Sequence, residues 1–332
     1  MMSSIRFFPR GTTSTDGDIT LAELPDLLES SSGGWIDILS PGDDERRFML
    51  KVLKLNELAV EDCFSDPVSR SWNYDDHRFI ALRARDADSE LDTEHLRVFL
   101  SGDLLVTVRH SEIPAMSDFL RRYHSRRVRR KADAVPEYLL YELLDAVADD
   151  WYRVLESYSD RLDVLEFQVT DMTTKYPGLL QDLHQIKQDL REIQKSTLPL
   201  EEIVARMLRP DQDFVSAENM VYFEDMAAVL RSLRHKVSNY QAGASSARDT
   251  YLSQTSMRLA ESQARVAEVM TTLTIFAAII LPLTLISGIY GMNTDTLPLK
   301  DGNGFWYVLG LMGAFAAGML FWFRSRGWIG NK

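Results

Sequence analysis

The sequence predicts an α+β membrane protein: an N-terminal cytoplasmic α/β domain with long helices, and a very long stalk helix continuing into the first of two C-terminal transmembrane helices. Three observations carry this. Residues 269–294 hold no charged side chain over roughly 26 positions and residues 302–323 none over roughly 22, and each run can cross a hydrocarbon core. From about residue 216 to Pro282 neither a proline nor a turn cluster interrupts the chain. Strand-like segments are confined to the N-terminal third.

Composition sets the outer limits. In 332 residues, Lys+Arg 37 stand against Asp+Glu 49, for a net charge of -12. This balance argues against nucleic-acid binding and suits a protein that meets cations, although acidic soluble domains are common. The single cysteine, Cys63, excludes an internal disulfide framework and any cysteine-rich metal knuckle, and fits a reducing cytoplasm. Residues 1–10 carry no long apolar core, so no cleavable signal is predicted.

The elements follow in order. After a Ser/Thr/Gly-rich, partly disordered lead-in, residues 21–28 predict a short helix that Gly33-Gly34 breaks, and Trp35-Ile36-Asp37-Ile38 reads as a strand. Asp43, Asp44 and Glu45 supply an acidic first turn for a helix to about Leu53, and a second short helix holds residues 58–64. Residues 76–85, 95–100 and 104–108 read as strands, the last two joined by Ser101-Gly102-Asp103. Their weak alternation fits a sheet covered on both faces. A basic cluster including Arg121, Arg122, Arg126 and Arg127 lies on or after a helix starting near Pro114, and reads as a face docking on the protein's own carboxylates or on solvent.

From Pro136 the pattern is helical. Leu140, Leu144, Val147, Trp151, Val154, Tyr158, Leu162 and Leu165 form one apolar seam, and Leu179, Leu183, Ile186, Leu190 and Ile193 form a second beyond Tyr176-Pro177-Gly178. The two helices pack as an antiparallel pair. The first is crowded with Asp145, Asp149, Asp150, Glu156, Asp160 and Asp163, a solvated face by default and a candidate cation-attracting surface. A helix running from about residue 216 to Tyr290 would span about 75 residues, or roughly 110 Å. It has too little partner surface in its own chain, so oligomerisation is expected.

The chain thus divides into a cytoplasmic α/β domain (1–135), an acidic antiparallel helical pair (136–210), a cytoplasmic stalk helix (211–268), a first transmembrane helix (269–293), an external loop (294–303), a second transmembrane helix (304–323) and a basic cytoplasmic tail (324–332). The short loop makes the spans a hairpin. Arg258, Arg265, Arg324, Arg326 and Lys332 flank its open end, whereas the loop holds only Lys300 against Asp295 and Asp301, which puts both termini in the cytoplasm. On the first span Met270, Leu273, Ala277, Leu281, Thr284 and Gly288 fall at steps of three and four. This seam either faces an axis shared by assembled copies or packs on the second span. On a shared axis Thr284 and Asn293 would be its polar stations, and Met270, Leu273 and Leu281 could close it by excluding water. Pro282 lacks the N–H that would bond the carbonyl of Ala278.

Tyr290-Gly291-Met292-Asn293 at the end of a penultimate span, preceded by Leu281-Pro282-Leu283-Thr284 and followed by a short turn and a terminal span with basic residues, resembles the CorA family of divalent-cation transporters. Trp35-Ile36-Asp37, Leu58-Ala59-Val60-Glu61-Asp62, Tyr74-Asp75-Asp76 and Leu198-Pro199-Leu200 extend the resemblance over nearly the whole chain. It implies a homopentamer in the inner membrane, no enzyme activity and no resident cofactor. Five first spans would line one pore, with Gly291, Met292 and Asn293 as its filter, Asn293 forming an amide ring at the outer mouth and Asp295 and Asp301 attracting cations nearby. The cargo it implies is Mg2+, with Co2+ or Ni2+ as further ions.

This sequence departs from the family pattern in three places. Ala267 stands where an asparagine ring often occurs, and Leu299 follows Pro298 where an acid often does. Between Met226 and Arg248 the stalk has no acid, and Arg231, Arg234, His235 and Lys236 occupy the region of the family's regulatory magnesium sites, so no side-chain regulatory site is assigned. The alternative is a proton-coupled Zn2+ transporter of the related ZntB branch, although no paired zinc-ligand spacing is present. A membrane-anchored scaffold would require neither Pro282 nor Asn293, and no phosphate loop or nucleophile motif points to an enzyme.

Overall fold

A computed structural model describes residues 3–10, 18–66, 68–125, 136–171, 174, 176–210, 214–292 and 304–329. They fall into two compact units, residues 1–250 and 251–332. The first unit is built on strands β1 (Ser4–Pro9), β2 (Asp18–Ile19), β3 (Gly34–Leu39), β4 (Arg70–Asn73), β5 (Arg78–Arg85), β6 (Thr93–Ser101) and β7 (Leu104–Arg109). Among the described residues they form a seven-stranded sheet in the order β2-β1-β3-β7-β6-β5-β4. Only the β3–β7 pair is parallel.

One face packs on helices α1 (Leu24–Ser30), α2 (Asp43–Lys51) and α3 (Glu57–Glu61), around Ile36, Ile38, Phe48, Val60, Phe79 and Val106. The other carries Phe8 stacked on Trp35 at 4.4 Å, with Phe119 and Tyr123 of α4 (Pro114–Tyr123) edge-on to Trp35. Local chemistry starts the short helices. The backbone N–H of Gly42 donates to Glu45 and the Asn56 side chain accepts from the N–H of Leu58. Gly33 has φ +111, and a Cβ there would lie 2.3 Å from the carbonyl oxygen of Asp103, so the β6–β7 turn closes against it only because it is glycine. Cys63 is fully buried, and burial pushes its thiol up to about 12.

The predicted disordered lead-in is corrected in part. Residues 4–9 form β1, an interior strand with Ile5, Phe7 and Phe8 buried. The edge strand β4 carries no strand signal in the sequence, since its exposed Trp72 gives no alternation.

Between β3 and β7, Asp37 and Arg109 have fully buried side chains joined at 3.0 Å. The carboxylate also accepts from Arg6 at 2.7 Å and Thr107 at 2.8 Å, and Arg109 continues to Glu112. Burial alone would lower the guanidinium's pKa, but the neighbouring carboxylates raise it.

Helices α5 (Glu137–Thr170), α6 (Leu179–Met207) and the first part of α7 (Met220–Tyr290) complete this unit. Both expected apolar seams are buried along their full length. The acidic face is less free than its sequence suggests. Arg122 pairs with Asp145 and Asp149, and Asp150 takes both Arg85 and Arg153. Gly243 explains the lone glycine of the stalk: a Cβ there would lie 3.1 Å from Leu162 on α5. Glu137, at the start of α5, holds Arg78 and accepts from Ser216 and Asn219. Burial would raise its pKa, but these hydrogen bonds hold it below the ordinary carboxylate value.

Asp37→Ala strands a buried guanidinium and should cost about 3–5 kcal/mol in a denaturant titration that follows the unfolding of this unit. Glu137 has a depressed folded pKa, so its contribution is present at neutral pH and lost as pH falls below about 4. Glu137→Gln should therefore lower stability at pH 7 and flatten the acid limb of the stability curve.

Candidate ion pathway

The second unit holds the end of α7 and helix α8 (Gly304–Ser325), and both helices are long and apolar enough to cross a membrane. α7 runs without interruption to Tyr290 and includes Pro282. Within a single chain this unit buries little: on α8 only Gly304 and Phe323 are buried.

Partial cover on the two helices is periodic. On α7 it falls on Thr271, Ile275, Ala278, Ile279, Pro282, Leu283 and Ile286, one side at steps of three and four. On α8 it recurs at Val308, Met312, Ala316 and Met319, between Gly304 and Phe323. At 3.6 residues per turn the six seam residues Met270, Leu273, Ala277, Leu281, Thr284 and Gly288 lie on the opposite side of α7. All six are exposed, Leu281 at 68%. The seam is therefore not the side covered within one chain.

The polar chemistry of the seam is sparse and oriented. Thr284 donates its hydroxyl proton to the carbonyl of Ile280 at 2.9 Å, so the oxygen's lone pairs remain to accept hydrogen bonds from outside the helix. The helix ends in a tight turn, in which the N–H of Gly291 donates to Ser287 and that of Met292 to Ile289. The C-terminal carbonyls place the negative end of the helix dipole at Gly291 and Met292, the sign that attracts a cation. Asn293, Asp295 and Asp301 lie outside the described residues.

Further down α7, the basic residues of the acid-free stretch are partly engaged by the chain itself. Arg234 pairs with Glu201 at 3.2 Å and Lys236 bonds the Tyr152 hydroxyl, whereas Arg231 and His235 are exposed. Among the described residues no group of three His, Cys, Asp or Glu side chains converges as a metal site. Sequence reasoning misses one cluster, at the end of α8, where Trp328 stacks on Phe323 at 5.6 Å. Gly327 directly after Arg326 is its available signal.

The comparisons with known proteins agree with this architecture. The CorA-like Mg2+ transporter protein family matches residues 30–325. The Bacillus subtilis protein YfjQ is 30% identical over 298 residues, 89% of each chain. The cobalt/magnesium transport protein CorA of Thermotoga maritima is 32% identical over 263 residues, covering 77% of this chain and 71% of its own. Among solved structures, the complete CorA magnesium transporter of Methanocaldococcus jannaschii aligns over 99% of both chains with a TM-score of 0.67 at 20% identity. The ZntB cytoplasmic domain of Vibrio parahaemolyticus aligns over 77% of this chain and 100% of its own, with a TM-score of 0.60 at 13% identity. With a matched segment that takes in strands β3 to β7, the stalk and both apolar helices, the chain belongs to the CorA family of divalent-cation transporters.

Proposed function

We propose that copies of this chain assemble as a homopentamer in the inner membrane, with both termini cytoplasmic, and conduct Mg2+ along an axis lined by Met270, Leu273, Ala277, Leu281, Thr284 and Gly288. The observation that carries this reading is the uncovered seam: six positions on one side of α7 are left exposed by their own chain while the opposite side receives the partial cover. A continuous stripe of that length is a surface on which copies of the chain related by symmetry can pack.

The chemistry suits a hydrated ion. Mg2+ gives up its water reluctantly, so neutral acceptors that hold the water shell serve better than direct ligands. Thr284, the terminal carbonyls and an Asn293 ring after Gly291 and Met292 are such acceptors, and no carboxylate on the seam would trap the ion. A potential of ~100 mV favours entry of a divalent ion by about 4.6 kcal/mol, so passive conduction suffices. Asp295 and Asp301 would raise the local cation concentration at the mouth. The second reading, Zn2+ transport coupled to protons, is favoured by the absence of stalk acids between Met226 and Arg248.

Three measurements test this. In reconstituted vesicles, Asn293→Ala should abolish uptake while leaving the oligomer intact on native gels; normal flux removes Asn293 from the mechanism. Thr284→Val should lower flux severalfold, whereas Thr271→Val, on the partly covered side, should not; equal effects count against the axis. Flux of Mg2+, Co2+, Ni2+ and Zn2+ should be highest for Mg2+ and indifferent to a pH gradient. Zn2+ flux driven by that gradient would establish the second reading instead.

A further inference from the structure

The end of α8 carries a built surface that ion conduction does not use. Gly327, at φ 76, reverses the chain in the left-handed conformation, and the N–H groups of Arg326, Gly327 and Trp328 close the turn on the carbonyls of Trp322, Arg324 and Phe323. The reversal lays the Trp328 ring on Phe323 at 5.6 Å and 19°, edges Trp322 against Phe323 at 5.2 Å, and sets the Arg326 guanidinium over Trp322 at 5.7 Å. Phe323 is left 2% exposed, whereas Trp322 and Trp328 remain about half exposed. A solvent-facing helix end would gain little from two half-exposed indoles.

Charge gives the shelf its sign. No acidic residue follows Asp301 in the sequence, and among the described residues neither Arg324 nor Arg326 has a carboxylate partner. In a chain of net charge -12 this is a local excess of positive charge, placed where an uncharged run of roughly 22 residues ends. Indole rings at a hydrocarbon boundary beside guanidiniums without carboxylates are complementary to a lipid headgroup region bearing phosphate, because the ring spans the interface while the planar fork pairs with phosphate oxygens. We infer that Trp322, Arg324, Arg326 and Trp328 form a docking surface for an anionic phospholipid headgroup. This rests on the reading of α8 as a membrane span and adds a lipid partner to it. Phosphatidylglycerol is the probe, because it carries net charge where phosphatidylcholine does not.

The test counts lipids retained by the full chain in neutral detergent by native mass spectrometry. Phosphatidylglycerol should bind at least about fivefold more tightly than phosphatidylcholine. The Arg324→Gln/Arg326→Gln pair should erase that preference, and Trp328→Ala should weaken both lipids together. Arg324→Lys/Arg326→Lys, which keeps the charge, should retain most of the preference. Equal binding of the two lipids by the wild-type chain overturns the proposal, as does an unchanged preference in the double glutamine variant. Lipid counting needs no ion flux, so the preference for phosphatidylglycerol can be present or absent in a chain that conducts nothing.

Discussion

The Asp37 carboxylate is where the first unit is tied together. A buried charge is tolerable only when its lone pairs are filled, and here Arg109 and Thr107 fill them from β7 and Arg6 fills them from β1. That requirement draws the first and last strands of the chain onto opposite sides of β3. With β3 fixed, Trp35 faces α4 and Ile36 faces the small helices, so the two layers above and below the sheet follow from one register. Arginines do the same work further out. Arg122, Arg85 and Arg153 fasten the acidic side of α5 to the sheet and to α4, which gives the long helices a fixed base.

Beyond that base the character of the chain changes. Up to Ala247, α7 buries a regular apolar side among α5 and α6. After it, residues 252–270 are exposed all round apart from Gln254, although Leu252, Met257, Leu259, Val266 and Val269 are among them. One helix therefore contains a part stabilised by its own chain and a part that is not, and the second part adjoins the apolar span. A monomer would leave this apolar surface in water, so the physical pressure towards association lies in the same helix that the transport reading places at the axis.

Much of this is readable from residue order because it rests on periodicity. Leu140 to Leu165 and Leu179 to Ile193 announce buried helical sides at regular spacing, and the uncharged runs announce their own length. What cannot be read depends on partners distant in the chain. Residues 4–9 are too short a run beside the Ser/Thr/Gly-rich lead-in to announce a strand until β3 and β2 pair with them on either side. Asp145, Asp149 and Asp150 look like a cation-attracting strip until Arg122 and Arg85 arrive from other elements. The seam on the first span is legible as a stripe but not as a choice of direction, since a stripe does not say what faces it; the cover on Thr271, Ile275 and Ile279 marks the side that the chain itself shields. Trp328 escapes sequence reasoning because its role depends on a reversal at Gly327, which no hydropathy pattern encodes.

The solitary thiol of Cys63 has a practical consequence. It lies just beyond α3 with no exposed surface, and its thiolate is scarce at neutral pH because its pKa stands at about 12. Maleimides and spin labels will therefore find almost no native background. A cysteine introduced anywhere along the penultimate helix can be tagged in the otherwise unaltered protein, and its reactivity mapped turn by turn as a direct report of where water reaches.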